Sequence, residues 1–369
     1  MQPIEHPFYH KTAMVLLMLA LISAGIYLGA DILVPFSLAT LIAILMMPIT
    51  NFLQNKGVPR GIAVLVAVLL AFSVIIGVIY FLSSQIVSFF NDIEQIKKGL
   101  HTHIEHLQQW VQTKFGLSLR EQDKMVSDVS SSLKDSGTGA LGTTVSSLTG
   151  ILVLLSLLPI YTFLILYYRK LIRQFLIDIF QKEYQPKVTE VLKESRGVIQ
   201  NYMTGLIIEM LIVSAINAAG FLLLGIKYPI FLAVFAAVMN LLPYIGMLLA
   251  SLFCVLITIT SSPEISDAIW VLVVLIVVQF IDNNIIMPNV VGSKVKLNAL
   301  MTILGVLIGG ALAGIAGMFL SIPGIAILKI IFDRIDNLRP WGRLLGDDSS
   351  DSAKLKITKK SKAKPEDAK

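Results

Sequence analysis

Four polar side chains, Gln279, Asp282, Asn283 and Asn284, fall within two helical turns of an otherwise apolar stretch, in the run QFIDNNIIMP that ends at Pro288. Ionisable groups inside an apolar span are costly, so they face a cavity or a partner and mark ion or solute pathways. A carboxylate with amide neighbours offers oxygens to a monovalent cation and hydrogen bonds to the hydroxyls of a polar solute. Gln279 stands three residues before Asp282, which puts the two on one face of a helix. The alternative is a capping or pairing role for Asp282 with Lys294 or Lys296. Glu209 is a second carboxyl group in an apolar run and a candidate proton carrier, with an interfacial carboxylate as its alternative.

Two clusters of helix-breaking residues accompany these carboxyl groups. Asn240 leads into LLPYIG, where Pro243 has no N–H to give to the carbonyl of Met239, and Tyr244 and Gly246 follow. Carbonyls freed there are candidates to coordinate a cation or accept a hydrogen bond. In GGALAGIAG, the glycines Gly309, Gly310, Gly314 and Gly317 lower the cost of a turn. A third cluster, HTHIEH, offers His101, His103, Glu105 and His106. Steps of two and three do not gather three imidazoles on one helical face, so a solvated face is expected there and no metal.

The elements that must position these groups are set by the solvent. The chain of 369 residues is 55% hydrophobic and 15% charged, against about 25% charged in a soluble domain, and its long uncharged runs exceed the needs of a water-soluble core. Thr12 to Ala30, Ile32 to Asn55 and Gly61 to Leu82 each supply the roughly 20 residues needed to cross a bilayer. Further spans are expected within Ser147 to Tyr168, Gly205 to Gly225 and Ala268 to Met287. Tyr228 to Pro263 and Leu297 to Leu328 are too long for one span, at about 54 and about 48 Å as straight helices. With their central breaks they read as helical hairpins that enter and leave on one side; a single kinked helix at Pro243 is the alternative to the first.

The distribution of basic residues tests these readings, since a single first span would turn Lys294 and Lys296 outward and weaken the inside bias. With the N-terminus inside, the hairpin reading collects Lys56, Arg60, the group from Arg169 to Arg196, and Lys294 and Lys296 on the inner side, leaving Lys227 in an outer loop. The order span, outer hairpin, span, inner hairpin is that of inverted-repeat secondary transporters. The expected fold is therefore an all-α integral membrane protein of about five to six full spans plus two opposed helical hairpins. Its expected parts are a scaffold of three helices at 1–83, an extracytoplasmic amphipathic helical segment at 84–146, a fourth helix with a basic cytoplasmic connection at 147–204, a transport unit at 205–335 and a polar tail at 336–369. Ile86, Phe89, Ile93, Ile96, Leu100, Ile104, Leu107 and Val111 carry the amphipathic stripe. The tail, rich in Lys, Asp and Ser, is expected to be disordered, and the net charge of +6 reads as a topology signal with no nucleic-acid partner.

Gly225-Ile226 with Pro229, Asn240 to Gly246, Gln279 to Asn284 with Pro288 and Gly292, and Gly309-Gly310 to Gly314, Gly317-Met318 and Pro323 together resemble the autoinducer-2 exporter family of bacterial multipass proteins. Met247 and Asn298-Ala299 depart from its pattern, where a proline and a His-Pro pair are common. The resemblance implies a homo-oligomeric transporter in the bacterial plasma membrane, with cytoplasmic termini on the topology above. Some members are associated with export of autoinducer-2 and others with exchange of sodium or lithium for protons. The expected partners are membrane lipid and a small polar solute or monovalent cation; no cofactor is expected, and the coupling ion is H+ or Na+. No HExxH, paired intramembrane aspartates or intramembrane histidine supports an enzyme, and no GxxxxGK[ST] supports an ATP-driven pump. A non-transporting oligomeric scaffold is the rival of another class.

Overall fold

A computed structural model describes residues 8–91, 112–114, 156–243, 245–262, 264–292 and 297–346. Among them the backbone is helical, with one isolated antiparallel bridge between Leu297 and Gly346. The helices are α1 (Phe8–Leu28), α2 (Ala30–Asn55), α3 (Arg60–Asn91), α4 (residues 156–178), α5 (Gln185–Leu223), α6 (Pro229–Asn240), α7 (Ile245–Ser261), α8 (Ile265–Ile281), α9 (Ala299–Arg334) and α10 (Arg339–Leu345). Among the described residues, five stretches are long and apolar enough to cross a membrane: Ala30–Asn55, Arg60–Phe89, Gln185–Leu223, Ile265–Val290 and Ala299–Arg334. Large apolar side chains such as Leu16, Leu69, Leu211, Leu252 and Phe280 point outward, which water would not tolerate over so many helices and lipid does. The protein is an all-α integral membrane protein.

Two compact units organise the chain: Met1–Val64, Tyr161–Leu206 and Asn289–Lys369 in one, and Leu65–Ile160 and Ile207–Pro288 in the other. In the second, the core gathers Phe221 and Ile226, then Phe231, Leu232, Ala233 and Ala236 of α6, Ala250, Cys254 and Ile257 of α7, and Val271 and Leu275 of α8. Apolar burial gives little drive between helices that already sit in lipid, so close packing of small residues must hold them. Gly220 of α5 supplies such a site, since a Cβ there would lie 2.6 Å from Val274 of α8. Gly225 ends α5 in the left-handed region at φ 66°, a conformation open to glycine at little cost. Pro229 then opens α6, where a missing N–H costs nothing. The Gly225 to Pro229 pattern is thus a helix stop followed by a helix start.

The Tyr228 to Pro263 run folds as the expected hairpin. Phe235 of α6 lies 4.1 Å, ring centre to ring centre, from Phe253 of α7, and the Cys254 thiol reaches the Leu232 carbonyl at 3.8 Å. At the closed end a Cβ on Gly246 would collide with the Met239 carbonyl. Contacts at 232 with 254, 235 with 253 and 239 with 246 define antiparallel arms. One expectation fails in detail: the carbonyls of Met239 and Pro243 are not freed. Leu242 N–H donates to Met239 O at 2.9 Å and Ile245 N–H to Pro243 O at 2.7 Å, so a tight turn replaces the helical bonds that Pro243 removes.

The first unit holds the second hairpin, formed within α9. Ala313 and Gly314 leave helical geometry, with Gly314 at φ 60° and ψ −147°, a region nearly reserved for glycine. The arms return so closely that a Cβ on Gly309 or Gly317 would strike the backbone of the other. Ser321 Oγ clamps them by donating to Gly305 O at 2.8 Å and Gly317 O at 2.7 Å. Gly310 packs under Met318. Asn298 caps α9, its side-chain oxygen accepting from Leu300 N–H at 2.9 Å, so the departure at Asn298-Ala299 still serves as a helix start.

Three boundaries differ from the hydropathy reading. The third span continues to Asn91, so Ile86 and Phe89 of the amphipathic stripe belong to α3; the rest of that stripe, from Ile93 to Val111 with HTHIEH included, and the polar tail beyond Gly346 lie outside the described residues. The basic connection at 169–204 is mostly helical, because α4 runs past Arg169 and α5 begins at Gln185. The crossing at Ala268 to Met287 begins as α8 and changes at Asp282 to π-helical turns over Asp282–Ile286 and Pro288–Gly292.

Candidate functional site

Within the second unit, three polar residues from three helices meet inside an apolar surround. On α5 the buried stripe Glu209, Val213, Asn217 and Phe221 follows steps of four, so a carboxyl and an amide point into the protein with the core residues. Asn240 is the last residue of α6. Asp282 opens the π-helical turn after α8; such turns insert an extra residue and re-aim side chains, and they recur at functional sites.

Asn240 Nδ2 donates to Asp282 Oδ2 at 2.9 Å and stands 3.5 Å from Glu209 Oε1. Both carboxyl groups thus meet the same amide nitrogen. Asp282 is 1% exposed and Glu209 6%. Asp282 Oδ1 and Glu209 Oε2 are buried without a hydrogen-bond partner among the described residues. A buried carboxylate lacking donors is expensive, and a contact between two carboxyl groups is attractive only when a proton or cation sits on the pair. The site can therefore hold one positive charge.

Asp282 and Glu209 of the expected site residues thus come together on Asn240. Gln279 does not join them: its Nε2 donates to Asn283 Oδ1 at 3.1 Å, and Asn283 is exposed. Asn284 is also exposed and donates back to the Phe280 carbonyl at 2.8 Å. Asp282 continues the buried stripe of Val271, Leu275 and Val278, its N–H still bonding to Val278 O, and Gln279 stands at the edge of that stripe and turns its amide to Asn283 instead. Pro288 is exposed at the start of the second π-helical turn. Pro243 and Gly246 shape the first hairpin, Tyr244 lies outside the described residues, and Gly309, Gly310, Gly314 and Gly317 belong to the hairpin of the first unit.

Asn217 was not anticipated. It is 2% exposed, and its Oδ1 has no partner among the described residues. Eight residues after Glu209, it lies about two turns along the same face, and that spacing was the available signal.

The sequence model of the AI-2E family transporters matches residues 16–337. The chain belongs to the AI-2E transporter family. This AI-2E chain is 27% identical over 311 residues, 81% of its length and 85% of the relative's, to "Putative transport protein YrrI" of Bacillus subtilis strain 168. YueF of the same organism, with a name of the same form, is 25% identical over 84% of this chain and 86% of its own. YhhT of Escherichia coli K12, again so named, is 26% identical over 88% and 92%. The AI-2E match spans both hairpins and all three site residues, and it makes this a membrane transport protein.

Proposed function

We propose that this AI-2E protein is a secondary transporter in which Glu209, Asn240 and Asp282 carry the coupling ion, and that its cargo is a small polar solute such as the autoinducer-2 signal. The observation that carries the reading is the convergence of two buried carboxyl groups on the Asn240 amide, with one oxygen on each left without a partner among the described residues. A proton shared by the pair satisfies both oxygens and removes the repulsion; its loss leaves two charges that the apolar surround cannot hold. Protonation is then linked to rearrangement of α6 against α5 and α8, since these helices bring the groups together. The hairpin turn that ends at Gly246 lies next to Asn240, so movement at the site is transmitted to the broken helix.

A second reading is favoured by the same free oxygens: Asp282 Oδ1 and Glu209 Oε2 are hard acceptors suited to sodium or lithium, which would make the cation itself the cargo in exchange for protons. Under either reading the protein sits in the bacterial plasma membrane, assembled from several copies, with no catalytic role. Reconstituted protein should exchange protons for autoinducer-2, or for sodium or lithium, across sealed proteoliposomes. Failure with all three would favour an oligomeric scaffold without transport.

A further inference from the structure

The first unit holds a cluster of the opposite sign. Arg60 is the first residue of α3, Arg169 follows Tyr167 and Tyr168 on α4, and Arg196 lies on α5. Arg169 Nη2 donates to Gln54 Oε1 at 3.1 Å. Arg60 Nη2 donates to the Tyr167 carbonyl, and its guanidinium lies 5.1 Å from the centre of the Tyr167 ring. Burial, then the fields of Arg60 and Arg196, hold the Arg169 guanidinium below its ordinary pKa.

Nothing among the described residues balances this charge. Arg60, Arg169 and Arg196 form no ion pair with a carboxylate there, whereas Arg334 of α9 takes both Glu190 and Glu194 of α5, at 2.6 and 2.8 Å. The acids nearest in sequence to Arg196 are thereby committed elsewhere. Two donors remain orphaned: Arg60 Nε and Gln54 Nε2 are buried without an acceptor among the described residues. A buried donor without an acceptor costs about 1–3 kcal/mol, and with Gln54 Oε1 already taken by Arg169, the donors left over call for a group made only of acceptors. Guanidinium forks match the paired oxygens of a phosphate. The outward side chains beside the cluster, Phe52, Ile62 and Leu164, are apolar and exposed, and Tyr168 is exposed as well, as aromatic residues are where a span meets the headgroups.

We propose that Arg60, Arg169 and Arg196, with Gln54, form a binding site for the phosphate of an anionic phospholipid headgroup. The oxyanion would sit among the three guanidinium groups, and the acyl chains would lie along the exposed apolar residues. Free inorganic phosphate shares the oxyanion chemistry but lacks the chains. Phosphatidylcholine has the chains, but its choline cation would be repelled by three arginines.

Native mass spectrometry of the full-length detergent-solubilised protein tests this with palmitoyl-oleoyl phosphatidylglycerol and its phosphatidylcholine counterpart. Retention of phosphatidylglycerol should exceed that of phosphatidylcholine by about tenfold. Arg60→Gln combined with Arg169→Gln should abolish the preference. Arg196→Gln, a change at an exposed side chain that leaves the fold intact, should reduce it about threefold, and Lys170→Gln should leave it unchanged. Millimolar inorganic phosphate should leave the bound lipid in place. Equal retention of the two lipids, Arg196→Gln and the double variant indistinguishable from wild type, or complete displacement by inorganic phosphate would each overturn the lipid site.

Discussion

The Asn240 amide donates to the Asp282 carboxylate at 2.9 Å, joining the end of the first hairpin arm to the point where α8 gives way to a π-helical turn. Through the same nitrogen Asn240 also approaches Glu209, at 3.5 Å. One side chain thus ties a broken helix to two intramembrane carboxyl groups, the kind of connection that lets ion binding bias the position of a hairpin.

A double-mutant cycle measures that tie. Asn240→Ala and Asp282→Ala should be non-additive in thermal unfolding of the solubilised protein, with a coupling of about 1 kcal/mol or more. Independent effects would mean that the bond contributes nothing to the assembled site.

Neutral isosteres should separate charge from packing. Glu209→Gln and Asp282→Asn each imitate a protonated carboxyl, so each should leave unfolding within about 1 kcal/mol of wild type while removing proton coupling. Collapse of the protein on either change would show that the carboxyl pair is held in an ionised, structural state.

Asn217 offers a contrast between stability and activity. Leucine in its place removes a buried amide whose oxygen has no partner among the described residues, and the solubilised protein should gain about 1 kcal/mol. Solute flux should fall if this polar group lines the pathway with Glu209. A stabilised variant with full flux would assign Asn217 no part in transport.

Glycine substitutions test the second hairpin. Gly317→Val drives a side chain into the backbone at Gly309 and should cost about 3 kcal/mol or more, seen as loss of the monodisperse peak on size exclusion. Gly324→Ala, with open space around its Cβ position, should be neutral or slightly stabilising. Similar behaviour of the two would argue against close approach of the arms.

Sequence patterns revealed both hairpins because a run too long for one crossing, with Pro or Gly at its middle, has few other solutions. The site was only partly legible. Asp282 and Glu209 stood out as charges among apolar residues, and Asn240 as a polar residue before a break, but their meeting depends on how α5, α6 and α8 pack. The companions expected for Asp282 were its neighbours in sequence, but Asn283 and Asn284, one and two residues on, face outward. Hydropathy also hid the lengths of α3 and α5, whose polar ends continue the same helical ladders. Asn217 escaped notice because an uncharged amide barely disturbs an apolar run.

Proton movement into sealed proteoliposomes loaded with a fluorescent pH indicator tests the central claim most directly, with an outward gradient of autoinducer-2 or of sodium as the drive. Wild-type protein should move protons under at least one gradient, and Asp282→Asn and Glu209→Gln should reduce that movement to the level of empty vesicles. Undiminished proton movement by a folded Asp282→Asn variant would contradict the assignment of coupling to this carboxyl pair.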